Sequence, residues 1–197
     1  MKKIFVACFI LFIAGKSFAQ NFTTDIATAK TAYSSGKLED AHFALLQAMQ
    51  EIDLIIGKEV LKLLPEKMDA NNFNASDDNV TSNVGFVGTT IHRSWGQNDA
   101  VDLSIIGNSP LVTTINAFLN TPLLGGMMSN GNNKLIKVQG YKAQLTKDDA
   151  GNGQTNYTIQ LPLGSSLITF TAKNTTDSQI MAWANTLQLQ QIAKLVQ

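Results

Sequence analysis

A chain of 197 residues with 15 basic and 15 acidic side chains has no formal net charge, and only 15% of it is charged. Such a surface offers no electrostatic footprint for nucleic acid or anionic lipid. A single cysteine excludes a disulfide framework and a cysteine-based metal site.

The chain opens on Met1-Lys2-Lys3, continues as an apolar run from Ile4 to Ala14, and leaves that run through Gly15-Lys16-Ser17-Phe18-Ala19. A basic start, a run shorter than the roughly 20 residues that span a bilayer, and small residues at Ser17 and Ala19 describe a cleavable secretory signal. Cleavage is expected after Ala19, with Gln20 as the mature N-terminus. The short Lys-Lys leader is of bacterial type, so the expected location is the periplasm or the exterior. Cys8 leaves with the leader, and so do Lys2, Lys3 and Lys16, which brings the net charge to −3. No later stretch is apolar and long enough to cross a membrane. Asn74, Asn79 and Asn174 begin glycosylation sequons, read here as loop composition.

Residues 20–68 read as a helical hairpin. A short helix over 25–33 ends at Ser34-Ser35-Gly36, with glycine supplying the left-handed turn. A second helix runs over 38–64, where Pro65 stops it. Its apolar residues Leu38, Ala41, Leu45, Ala48, Ile52 and Ile55 recur three and four apart, which predicts a buried stripe. Residues 69–82, rich in Asn, Asp and Ser, read as a linking loop.

From Val84 the period changes to two. Val87, Thr89, Ile91, Arg93 and Trp95 share one face of a strand, 96–99 is a turn, and Val101, Leu103 and Ile105 alternate with Asp102 and Ser104. Ser109-Pro110 predicts a capped helix start, and the helix ends before Pro122. Residues 123–133 read as an apolar, glycine- and methionine-rich loop. Strands follow at 134–138, 141–146, 156–161 and 167–172, with a turn over 147–154. Thr175 to Ser178 caps a last helix carrying Ile180, Trp183, Ala184 and Leu187, and its tail through Leu195 reads as a further turn or two. Short turns between neighbouring strands imply antiparallel pairing. The fold class expected is α+β: a helical hairpin packed with a mainly antiparallel sheet and two further helices, with 83–197 as the sheet domain in one compact unit with the hairpin.

Ala29, Tyr33, Gly36, Leu38, Ala41, Leu45 and Ala48 stand at the spacing of a tetratricopeptide unit, and the hairpin resembles a single copy of one. No second copy follows, and a lone unit does not make a repeat array. The remainder loosely resembles exported PsbP-like domains. Leu63-Leu64-Pro65, Asn108-Ser109-Pro110-Leu111 and Gly140-Tyr141-Lys142-Ala143 are similar to stretches in exported bacterial proteins of unknown function. These resemblances imply a fold and transfer no catalytic residue.

Candidate chemistry is sparse. His42 and His92 are the two histidines, without the pairing a zinc or copper site uses, so core-edge or surface roles are expected. His92 with Asp99 or Asp102 and a serine sketches a hydrolytic triad, but no Gly-x-Ser-x-Gly elbow accompanies it. Ser34-Ser35-Gly36-Lys37 matches Ser-x-x-Lys without its companion motifs. Asp148, Asp149, Asn152 and Asn156 miss the spacing of a calcium loop and read as a plain hairpin turn. No cofactor and no catalytic residue is expected. Leu123, Leu124, Met127 and Met128, beside Gly125 and Gly126, form the candidate contact surface, because methionine suits adaptable interfaces. The leading expectation is a non-enzymatic exported binding module for a protein or envelope component. The alternatives are a hydrolase of unfamiliar type and a carrier of an apolar ligand.

Overall fold

The structure is a computed structural model that describes residues 17–83, 88–121, 132–151 and 153–196. The chain divides into two compact units after Ile52, inside the second helix.

The first unit is a helical pair. Helix α1 spans Ser17–Ser34 and α2 spans Leu38–Leu63. α1 begins well before residue 25, since nothing between Ser17 and Asp25 is a helix breaker. Gly36 takes the left-handed conformation (φ 74°), and the Lys37 N–H donates to the Ala32 carbonyl, closing the end of α1. The expected stripe of α2 is not core. Ala41 and Ala48 are buried, but Leu38, Leu45, Ile52 and Ile55 are exposed. The buried positions of this pair are alanines: Ala29 and Ala32 on α1, Ala41, Ala44 and Ala48 on α2. The two alanines of the expected row face inward, and its four large residues do not.

The second unit, Asp53–Gln197, contains the C-terminal part of α2 and, among the described residues, nine strands. β1 (Lys67–Met68) and β2 (Asn71–Asn72) form a minimal hairpin. β3 (Asn79–Thr81), β4 (Thr90–Trp95), β5 (Val101–Ile106), β6 (Asn133–Val138), β7 (Tyr141–Gly151), β8 (Gln154–Leu163) and β9 (Ser166–Ala172) make a seven-stranded antiparallel sheet ordered β3-β4-β5-β9-β8-β7-β6. Helices α3 (Leu111–Asn120), α4 (Asp177–Ala184) and α5 (Leu189–Val196) complete it. The fold is therefore α+β. Among the described residues three helices follow the pair, the expected tail being the separate α5.

Three local expectations are corrected. Residues 69–82 are not merely a linker, because β2 and the edge strand β3 lie there; Val80 pairs with Ile91 despite the polar composition around it. The turn read over 147–154 is mostly strand: β7 and β8 pair as far as Gly151 and Gln154, with a register shift between Asp149 and Gly151. Ser109 makes no capping bond to α3; Pro110 occupies the cap, and Ser109 is buried with its N–H on the Ser165 carbonyl. The Thr176 cap does form, its Oγ1 accepting the Gln179 N–H at 3.2 Å.

Alternation sorts the sheet into two faces. Ile91, Trp95, Leu103, Ile105, Ile159, Leu161 and Phe170 join Val60 and Leu64 of the α2 end, Ile180 of α4 and Ile192 of α5 in one core. The other face carries polar rows in register, including Asp102, Thr171, Thr158 and Thr146. At one end of that face Leu167 packs with Ile115 and Leu119 of α3. A glycine lets the C-terminal part of α2 lie close to the sheet: a Cβ on Gly57 would fall inside contact distance of Val80.

Candidate functional site

The densest polar cluster forms where residues 71–78 run past the end of β4. Phe73 bridges to Trp95, the Asn74 N–H donates to the Ser94 carbonyl, and the Gly96 N–H donates to the Asn72 carbonyl. Trp95 is fully buried, its indole N–H donating to the Pro65 carbonyl at 2.9 Å.

Successive residues of β4 send their side chains to opposite faces. Arg93, on the core side, is buried. Its Nε and Nη2 donate to the two carboxylate oxygens of Asp78 at 2.7 and 2.5 Å, and its Nη1 donates to the Leu64 carbonyl. The guanidinium carbon lies 4.6 Å from the Phe73 ring centroid. This two-pronged pair fixes the segment after β2 against β4.

His92 and Ser94 lie on the polar face. Ser94 donates to Asp77 Oδ2 at 2.8 Å and accepts from Asn74 Nδ2 at 2.8 Å. The Ser94 hydroxyl is the main group holding the Asp77 carboxyl below its usual pKa, outweighing the opposing effect of burial. His92 Nδ1 is 3.0 Å from the Asp77 carbonyl, and Nε2 is 2.5 Å from Asp102 Oδ2. Both partners are acceptors, so only the doubly protonated ring satisfies both. Burial by itself lowers the His92 pKa. The Asp77 carbonyl, the Asp102 carboxylate and the nearby charge of Asp99 act against it, and the pKa is raised.

This geometry does not serve the hydrolytic sketch. His92 meets Asp102, but its two ring nitrogens are occupied by a carbonyl and a carboxylate. No nitrogen is left to take a proton from a serine, and Ser94 is turned to Asp77. His42 stands exposed on α2. Among the described residues no group of three or more His, Cys, Asp or Glu side chains is placed to hold a metal ion. Asp148 and Asn156 pair across the β7–β8 hairpin, and the Asp149 carboxylate accepts the Gly151 N–H.

Clefts among the described residues offer further surface features. A cleft of about 250 Å³ lies between Asp53 and Ile56 of α2, Asn108 and Ser165. Ligand pockets typically run from about 300 to 1,000 Å³, so it is small for a carrier. A groove of about 600 Å³ on the helical pair is floored by Ala27, Thr28, Thr31, Ala32 and Ala44 and edged by Phe43. An open polar cleft is shared by the turns at 69–72 and 96–100 and by α4. The apolar residues Leu123, Leu124, Met127 and Met128 lie outside the described residues. Sequence reasoning passed over the amide-bearing turns because Asn, Gln and Gly there suffice to explain a turn.

No family model, curated protein or solved structure matches this chain. Among the described residues no helix is long and apolar enough to cross a membrane.

Proposed function

We propose that this chain is a non-enzymatic exported module, released after Ala19, that binds a polypeptide partner through the apolar flank of its helical pair. One observation carries the reading. Leu38 and Phe43 are 64% and 63% exposed, Leu45 and Met49 47% and 63%, all within α2 of the first unit. Leu38, Leu45 and Met49, seven and four residues apart, share one side of α2, and an exposed apolar row of this kind is characteristic of interaction sites. Phe43, on another side of α2, edges the groove whose floor of small residues suits the apolar row of an amphipathic helix. The contact surface thereby moves to α1 and α2, with the segment carrying Leu123 and Met127 as a second candidate.

A photo-reactive side chain at Met49 tests it in the native envelope, with exposed Ala182 on α4 as the control position. An adduct of defined mass from position 49 alone is the expected result, abolished by Leu45→Asp. Adducts from neither position, or equally from both, overturn the proposal. N-terminal sequencing of the exported material should begin at Gln20, and recovery with Met1 intact removes the export half.

A further inference from the structure

We propose that the open polar cleft beside α4 binds a neutral, hydroxyl-rich saccharide chain. The site lies in the sheet unit and is independent of the contact surface proposed above.

The cleft consists of two depressions of about 400 and 870 Å³ that share Asn71, Gln97, Asn98 and Ala100. Its length comes from this continuity: Gln179 and Trp183 border one end, Asn74 and Asp77 the other. The chemistry of the lining is unusual for its primary amides. A carboxamide presents two donors and an acceptor in one plane, which matches neighbouring sugar hydroxyls, each able to give and accept a proton. The side-chain amides of Asn71, Gln97 and Asn98 make no hydrogen bond to the described residues, so they face a ligand without a competing partner. Trp183 is half-buried, packed against the core on one side and bordering the cleft on the other. An indole combines an apolar plate with one N–H donor, as the apolar C–H face and hydroxyl rim of a pyranose require.

The walls are held in place before any ligand arrives. Gly96 (φ 80°), Asn98 (φ 54°) and Asp99 (φ 51°) give the turn its left-handed path. A Cβ on Gly96 would lie 2.6 Å from Asn71 Oδ1, so glycine admits that amide. Asn74 Nδ2 donates to the Gly96 carbonyl at 2.9 Å, and Lys173 Nζ donates to the Asn98 carbonyl at 2.7 Å. Walls fixed in this way lower the entropy lost on binding. The charges argue for a neutral ligand. Lys173 is the cation of the lining and is engaged with Asn98, while Asp69, Asp77 and Asp99 disfavour phosphates and carboxylates.

The test uses the full mature chain with two probes, the β-1,4-linked tetramers of N-acetylglucosamine and of glucose. Trp95 is fully buried, so a change in tryptophan fluorescence reports Trp183. Saturable binding of at least one tetramer is expected, with a dissociation constant on the order of 1 mM or tighter. Trp183→Ala should weaken it about tenfold, read by calorimetry, and Trp183→Phe, which keeps the plate, by about threefold or less. Gln97→Ala, on an exposed turn, should weaken it without touching the core and serves if the Trp183→Ala variant does not fold. Affinity should be the same at about 0.05 and 0.5 M salt. No saturation by either tetramer, binding indifferent to both the Trp183 and Gln97 changes, or a steep loss with salt overturns the assignment.

Discussion

The two units solve the burial problem in opposite ways. In the sheet unit, large side chains such as Trp95, Phe170, Leu103 and Ile180 are wholly enclosed, and polar residues take the alternate positions. In the helical pair, alanines are enclosed, while Leu38, Phe43, Leu45 and Met49 face outward. Burial stabilises in proportion to apolar area, about 25 cal/mol per Å². Most of the hydrophobic stabilisation therefore lies in the sheet unit, and the helical pair leaves apolar area open to water. A region that is fully packed has its chemistry committed to folding. A region with large residues left over has something to offer a partner.

The sharpest break of this contrast is a cavity in the sheet unit. Phe170→Ala should cost about 3–5 kcal/mol, the range for truncating a buried aromatic, and should lower the thermal midpoint steeply. A loss below about 1 kcal/mol means that the core is looser than its enclosure implies.

Next in size is the buried pair. Arg93→Ala leaves Asp78 without its partner and removes the contact with Phe73, for an expected cost of about 3 kcal/mol in chemical denaturation. Asp78 is 20% exposed, which places the cost at the lower end of the range for buried pairs. The same variant should make amides at residues 73–78 exchange faster, because Arg93 joins that segment to β4.

A smaller effect concerns pH. The folded-state pKa of His92 is raised, so its contribution to stability is complete below the unfolded value of about 6.5 and is lost as pH rises through the folded value. Stability should decline across that window, and His92→Gln should flatten the decline. A histidine titration by NMR checks this directly. A His92 resonance titrating below the ordinary histidine value of about 6.5 removes the double-acceptor reading of the ring.

The smallest expected change is the most pointed for the comparison. Leu45→Asp should alter stability little, within about 0.5 kcal/mol in a thermal melt, because it places a charge on a surface already open to water. A loss of several kcal/mol shows that Leu45 is covered, and the helical pair then has no free flank. Taken with Phe170→Ala, it measures how unequal the two units are.

Element types were largely legible along the chain because each rests on a local period. The alternation of Val101, Leu103 and Ile105 with Asp102 and Ser104 needs no neighbour to be read, and Pro65 or Thr176 marks a helix end by its own backbone chemistry. Strand order was not legible, because β9 inserts between β5 and β8 through contacts distant in sequence. Nor were the short strands at 67–81, whose Asn-rich composition resembles a loop until β4 supplies a partner for β3. Which side of α2 is buried was decided by how closely helices approach, and a period that treats Ala and Leu alike does not register that distance. The pairing of His92 with Asp102 was within reach, since adjacent antiparallel strands place residues 92 and 102 near one another. Its meaning was not, because the second acceptor is the carbonyl of Asp77, a backbone atom that no residue letter encodes and that only the tertiary course of residues 71–78 brings to the ring.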